Sequence, residues 1–272
     1  MAHTAQERYS DLVLAKVRAE LVLKDGIVFN NDYEGDPKAG AVKIPTRDGE
    51  VAASDYDKAA GLAPTTGATA YVTLPINKDK AVNEIIDGYD ADSVPDNLIA
   101  DRLDSAGYSL TKVIDTDGAT ELLGAGTAVG IAAVTAANVY AALVAQRTAM
   151  SKANIPAAGR YALIPPDYIG AIVTSPEFTQ ATSLGDEVKQ SGAIGRIAGF
   201  TIYEWNDTTA NLFGIFGHPR FATRVNEWQV PVKLQNLDGS GQWIGASAVQ
   251  GRMVYAHKVL RSAGIRCVYA PN

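Results

Sequence analysis

Three histidines, one cysteine and a short acidic string are the residues through which this chain of 272 residues could do chemistry. His3 stands in a polar terminus, His218 precedes Pro219 in a turn-forming sequence, and His257 lies beside Lys258 in a β-prone run. None has metal-ligand spacing to another histidine or to Cys267, so no zinc site is expected, and structural or surface roles are the reading for all three. Cys267 has no second cysteine with which to close an internal disulfide. It sits in the alternating segment Ile265, Arg266, Cys267, Val268, where a buried thiol is expected rather than a nucleophile. Ser247 falls in Gly245, Ala246, Ser247, Ala248, Val249, which lacks the closing glycine of a nucleophile elbow and reads as strand or turn. Gly124, Gly126 and Gly130 approach a dinucleotide fingerprint, but the last spacing is one residue too long and helix precedes them. A flexible connection between subdomains is the better account. Asp87, Asp90, Asp92 and Asp96 lack the alternating ligand order and closing glutamate of a calcium loop, and charge at a helix N-terminus accounts for them. No catalytic, metal or cofactor constellation emerges, and no cofactor is expected.

Composition narrows the classes further. The chain is 47% hydrophobic and 20% charged, the profile of a soluble globular protein long enough for one large or two modest domains. The first ten residues carry no basic start followed by an apolar run, and no stretch approaches membrane-spanning length, so neither secretion nor a membrane partner is expected. A formal net charge of −6 repels phosphates as a whole, and no basic run interleaved with aromatics offers a binding groove. Tight DNA binding is therefore not expected. A container for DNA remains compatible, because an acidic or mixed inner wall lets packed nucleic acid slide.

The elements that must position these residues alternate between helix and strand. Residues 4–23 place Leu12, Val13, Val17 and Leu21 on roughly one face of an amphipathic helix, and the turn-rich run from Asn30 to Pro37 ends it. From Ala41 to Pro75, two β-prone pieces, Ala41–Pro45 and Ala70–Leu74, flank a long middle of small and polar residues. This predicts a long, sparsely packed hairpin, marginal alone in water and in need of a neighbouring subunit to lean on. After Pro95 and Asp96, the residues Ile99, Leu103, Ala106, Leu110, Val113 and Ile114 share one stripe of a long helix, until Gly118, Gly124, Gly126 and Gly130 break the pattern. A second helix is predicted from the N-cap Thr135 to Lys152, before Pro156. Then come a strand at Tyr161–Ile164, a short helix opened by Pro165 and Pro166, and strands at Phe200–Trp205 and Leu212–Phe216. Alternation at Val230, Val232 and Leu234, and two β-prone runs between Arg252 and Tyr269, complete an α+β chain with interleaved elements.

The most specific stretch is 138–200. A helix containing Val139, Leu143 and Met150 leads to Ile155, Pro156 and Arg160. The run Ala162, Leu163, Ile164, Pro165, Pro166, Asp167 opens a short helix ending near Pro176 and Phe178, and Gly192, Ile194, Gly195, Ile197, Gly199 and Phe200 follow. This order of parts resembles the tailed-phage major capsid family, whose Hong Kong-type fold is shared with encapsulin nanocompartments. The match covers nearly the whole chain in layout and local texture.

The resemblance implies an N-terminal arm at 1–37, an extended β-hairpin loop at 38–78, a peripheral domain with a long spine helix at 79–124 and 225–272, and an axial domain at 125–224. It implies a subunit that assembles with itself, as hexamers and pentamers, into an icosahedral shell around a double-stranded DNA genome, made in the host cytoplasm and residing in the virion. Without a long helical region ahead of the arm, a separate scaffolding protein, or none, is implied, and a portal is a further implied partner. Candidate intersubunit contacts on the hairpin are Arg47, Asp48, Asp55, Asp57 and Lys58, able to form rim salt bridges of about 0 to 1 kcal/mol each; a solvated charged loop is the equally good bland account of any one of them. A cross-link of the kind some family members form would pair Lys58 with Asn226 or Asn236, but no residue pattern supplies the assisting glutamate pocket. An encapsulin, sharing the fold but enclosing protein cargo, is the near alternative. A small-molecule hydrolase of unrecognised fold is the distant one and would require a pocket with perturbed ionisable groups.

Overall fold

The computed structural model describes residues 16, 18, 21–33, 40–46, 50, 51, 53–59, 61–63, 66, 67, 69–93, 98–176, 195–238 and 242–271. The strands are β1 (Ala41–Thr46), β2 (Ala70–Pro75), β3 (Lys78–Asp87), β4 (Thr127–Gly130), β5 (Tyr161–Ile164), β6 (Arg196–Ile197), β7 (Phe200–Glu204), β8 (Leu212–Gly217), β9 (Ala222–Asn236), β10 (Ala246–Val259) and β11 (Ile265–Tyr269). The helices are α1 (Gly88–Ser93), α2 (Leu98–Ala125), α3 (Val139–Lys152) and α4 (Pro166–Val173). They form a two-stranded sheet β1-β2, a three-stranded sheet β3-β10-β9 and a six-stranded sheet β4-β11-β8-β5-β7-β6.

The six-stranded sheet is buried on both faces, which is why β5 and β8 read as continuous apolar runs rather than alternating ones. The side chains of the sheet divide between two cores. Ala162, Ile164, Phe213, Phe216 and Val268 pack under α3 and α4 with Leu143, Met150 and Ile172. Tyr161, Leu163, Ile215, Ile265 and Cys267 face the other way, onto Leu122 of α2 and onto Val22, Leu23, Val28 and Phe29 near the N-terminus. The turn from β6 to β7 uses Ala198 and Gly199, both at positive φ (49° and 86°). Two such residues between paired strands give the twist that a two-residue hairpin requires. Beyond α3, the buried Arg160 guanidinium donates to the carbonyls of Arg147, Ile155 and Pro156, and so ties the last turns of the helix to the segment that follows it.

The three-stranded sheet carries α2 on one face, through Ile86, Ala106 and Val249 with Val82, Leu103 and Val232 around them. The register of β10 on β9 shifts between Gln250 and Arg252. Pro231 lies at that irregularity, on a strand whose other side pairs with no further strand of its sheet, a position that tolerates a residue without an N–H.

Four sequence expectations need correction. The expected helix over 4–23 fails where it can be seen: Lys16, Arg18 and Leu21–Lys24 have no helical conformation, the rest lying outside the described residues. Ion pairs and backbone contacts with α2 hold this segment, and tertiary contacts override its helical periodicity. Of the glycines expected to break the long helix, Gly118 and Gly124 do not, since α2 runs through both to Ala125, and the break comes at Gly126. Gly118 serves close packing, because a Cβ there would stand 3.0 Å from the Phe29 ring and 3.2 Å from His257 Nε2. The 124–130 stretch is a helix end and a strand, not a flexible connection, and β4 runs parallel to β11. Finally, α3 begins at Val139 rather than Thr135. Asn138 turns its side chain back onto the Thr135 N–H (2.7 Å), and the residues between form a turn ahead of the helix.

Gly126 is the tightest of these junctions, since a Cβ would meet the Leu122 carbonyl oxygen at 2.6 Å and Cys267 Sγ at 2.9 Å. Gly126→Ala is expected to destabilise the chain by about 1–3 kcal/mol through overpacking, whereas Gly67→Ala, with nothing within 4 Å, should be neutral. Urea unfolding of the two variants checks this.

Candidate intersubunit elements and the clasp that seats them

The β1-β2 hairpin pairs from Ala41↔Pro75 to Thr46↔Ala70, and only its base is buried. Ile44 and Leu74 pack on Val225 and Ala256, with Tyr33, Val42, Ile76 and Leu260 around them. Beyond Thr46 the described residues face solvent, including Val51 (89% exposed), Tyr56 (70%) and Leu62 (54%). Of the five charged residues expected to make contacts, Asp55, Asp57 and Lys58 are exposed there, while Arg47 and Asp48 lie outside the described residues. Asp57 also has a local task, which the sequence did not single out. Its carboxylate accepts from the Ala59 N–H (2.8 Å) and its carbonyl from the Gly61 N–H (2.8 Å), closing a turn that Gly61 completes at φ 71°.

The N-terminal arm follows α2 in the same direction. Lys16 Nζ pairs with Asp101 (2.7 Å), Arg18 with Asp104 (2.6 Å), and the Leu23 N–H donates to Asp115 Oδ2 (3.3 Å). Arg18 also lies over the Tyr108 ring, 4.9 Å from its centroid. The exposed pairs set register more than stability.

The arm is anchored by Arg224 of β9, whose side chain is about nine-tenths buried. Its Nη2 donates to the Leu23 carbonyl (2.5 Å) and its Nε to His257 Nε2 (3.0 Å). Asp25 lies 3.4 Å and Asp115 3.8 Å from the guanidinium, and the Phe29 ring centroid is 5.1 Å away. Because Arg224 can only donate, His257 Nε2 must be the acceptor and Nδ1 carries the proton. Burial, reinforced by the Arg224 charge, pushes His257 down to about 3, so the ring is neutral. Burial raises Asp115, and the Leu23 N–H and Arg224 only partly offset it. Below this cluster Tyr255 donates to Asp117 Oδ2 (2.8 Å), and Lys78 pairs with the other oxygen at 3.6 Å. This buried clasp joins arm, α2, β9 and β10. The signal for it was a lone arginine in the otherwise uncharged run Phe221, Ala222, Thr223, Arg224, Val225, which sequence reading passed over.

The other singled-out residues have structural positions. His218 caps a short 3-10 turn, accepting from the Arg220 N–H at Nδ1 (3.2 Å) and donating from Nε2 to the Ala158 carbonyl (2.9 Å). Cys267 is fully buried, its thiol directed at the Leu122 carbonyl (3.3 Å), and burial pushes it up to about 11. Ser247 lies within β10. Asp87 accepts from the Tyr89 N–H (2.8 Å) at the start of α1. Among the described residues no group of three or more His, Cys, Asp or Glu side chains is placed to hold a metal.

A family model described as phage capsid protein matches residues 83–268. Among solved structures, a protein of Mycobacterium phage Che8 is 24% identical, with 97% of this chain and 96% of that chain covered at a TM-score of 0.81. The capsid structure of Cyanophage P-SCSP1u is 17% identical, with 98% and 93% covered at a TM-score of 0.82. The capsid of the native GTA particle is 10% identical, with 98% and 96% covered at 0.66. No curated protein matches the sequence.

The clasp makes stability depend on pH in a stated direction. A histidine whose folded value is about 3, against an ordinary value of about 6.5, binds fewer protons folded than unfolded between those limits. Stability from this residue is therefore present above about pH 6.5 and lost as pH falls toward 3, with a slope of at most about 1.4 kcal/mol per pH unit. Asp115 acts oppositely, since its raised folded value makes protonation below that value favour the folded state. In His257→Gln, which keeps an acceptor for Arg224, denaturant unfolding across pH 3–7 is expected to show a flatter profile than wild type.

Proposed function

The chain belongs to the phage capsid protein family, and from that premise we propose how its parts build a shell. It is a structural subunit of a capsid, not an enzyme, and its place is the virion. The shell is icosahedral, made of hexamers and pentamers of this chain, and encloses double-stranded DNA without gripping its sequence. A chain of net charge −6 supports that last point, because phosphates are repelled rather than bound.

The division of labour follows the expected domains. Residues 1–37 are the arm, 38–78 the extended loop, 79–124 with 225–272 the peripheral domain, and 125–224 the axial domain that gathers at capsomer centres. The strand pairing adds a refinement, for β11 lies in the six-stranded sheet between β4 and β8, so the chain's last strand ties the peripheral segment into the axial body. A separate scaffolding protein and a portal are the further partners, and assembly follows synthesis in the host cytoplasm.

One observation supports the loop's role most directly. Val51, Tyr56 and Leu62 stand exposed on an excursion whose base alone is buried. Burying a Val or Leu side chain at a neighbour contributes roughly 1.5–3 kcal/mol, against about 0 to 1 kcal/mol for each rim pair from Arg47, Asp48, Asp55, Asp57 or Lys58. The apolar residues thus supply most of the loop's attraction and the charges its register. Each contact is weak enough to be corrected, and their number per particle makes the shell durable.

Deleting Asp55 to Gly67 is expected to leave folded subunits that make no closed shells. Electron microscopy and sedimentation velocity of the variant beside wild type read this out; normal particles from the deletion would refute the loop's role.

A further inference from the structure

We infer that two adjacent rungs of the β9-β10 ladder, Arg224↔His257 and Val225↔Ala256, form a two-sided hub that couples the seating of the arm to the setting of the hairpin. The pairing places these four residues on consecutive rungs, and successive side chains of a strand point to opposite faces. On one face Arg224 and His257 hold the arm, through the Leu23 carbonyl, Asp25 and Phe29. On the other face Val225 and Ala256 form the floor on which Ile44 and Leu74 seat the hairpin. The same short length of ladder therefore carries both reaching elements.

The covalent path closes the connection. From Phe29 the chain passes along the free edge of β9, where the Asn30 N–H donates to the Ala222 carbonyl (2.9 Å). The Asn30 carbonyl accepts from the Arg224 N–H (2.9 Å) and from Thr223 Oγ1 (3.1 Å). Three residues later Tyr33 packs into the hairpin-base cluster. Arm and hairpin are thus joined twice, through the ladder and around its edge. A close-packed interior transmits a shift on one face to the other, because no free volume absorbs it. A buried guanidinium that loses its arm partners must find others or become hydrated, and either movement displaces the rung that abuts Val225 and Ala256.

The coupling belongs to the single chain. Its use in assembly rests on the capsid reading above, in which arm and hairpin both reach neighbours. With it, a subunit whose arm is unseated presents a loosened hairpin, and one whose arm is seated presents a set one.

Hydrogen exchange on the full-length chain, kept dilute enough to stay unassembled, tests this with two variants. In Arg224→Met, exchange is expected to rise on the order of tenfold in residues 22–30 and also in strands 41–46 and 70–75, with β5 and β8 unchanged. In Leu74→Ala, made on the hairpin side alone, residues 22–30 should speed up by a similar factor. Faster exchange confined to the arm in the first variant, or an arm at wild-type rates in the second, overturns the coupling. If Arg224→Met loses protection in β5 and β8 as well, it has unfolded globally and Leu74→Ala decides. Whether either variant forms shells, scored separately by microscopy, bears on the capsid reading and not on the coupling.

Discussion

A guanidinium that is nearly out of water governs how the parts of this subunit meet. A buried charge is tolerated only when its donors are matched, and removing one partner of such a pair typically costs about 3–5 kcal/mol because the other is left uncompensated. Arg224 meets that condition with partners drawn from three elements: Leu23, Asp25 and the Phe29 ring of the arm, Asp115 of α2, and His257 of β10. Each of those elements is constrained in turn. His257 must be neutral and must accept at Nε2. Gly118 must lack a side chain, so that Phe29 and His257 can approach α2. The arm must present the Leu23 carbonyl to Arg224 and the Leu23 N–H to Asp115.

The two larger sheets divide stiffness from reach. The six-stranded sheet is covered on both faces and takes strands from widely separated parts of the chain, including β4 and β11, so it behaves as one rigid body. The three-stranded sheet is covered by α2 on one side only, and its outward residues include Trp228 beneath the Arg252 guanidinium, with Arg252 bonded to Asp79. The hairpin base is held there by a handful of apolar contacts, while the arm is shared between the polar cluster on β9 and β10 and the core against the six-stranded sheet.

Sequence reading found the elements whose signals are local. The hairpin strands, α4, β5, β7, β8 and the β10-β11 pair were legible from apolar periodicity and from Gly and Pro punctuation, and Cys267 was legible as a buried thiol. What it missed depends on partners far along the chain. β3 went unrecognised because its inward positions include Lys80 and Glu84, which blur alternation, and its partner β10 lies more than 150 residues away. The glycines of α2 looked like breaks because glycine weakens an isolated helix by about 1 kcal/mol, and nothing local reveals that Phe29 needs the space beside Gly118. The arm was misread for the same reason, for its helical stripe is real but its charged residues are used by Asp101 and Asp104 instead. Of the candidate contacts, Asp55, Asp57 and Lys58 lie on the exposed excursion and Arg47 and Asp48 outside the described residues, while the exposed apolar residues there, Val51, Tyr56 and Leu62, were not singled out because a charged loop draws the eye to its charges.

The choice of a polar clasp over an apolar seat has a physical consequence for how the arm is placed. An apolar strip on α2 would hold the arm with little preference for register, since hydrophobic burial is non-directional and a slip along the helix would expose little new surface. A carbonyl set 2.5 Å from one guanidinium nitrogen and an N–H set 3.3 Å from one carboxylate oxygen admit a single alignment, and a slip leaves a charge buried and unmatched. The clasp therefore fixes where the arm enters and how far along the chain the hairpin begins. Because the rung next to it floors the hairpin base, one buried charge sets the position of both extensions relative to the rigid sheet.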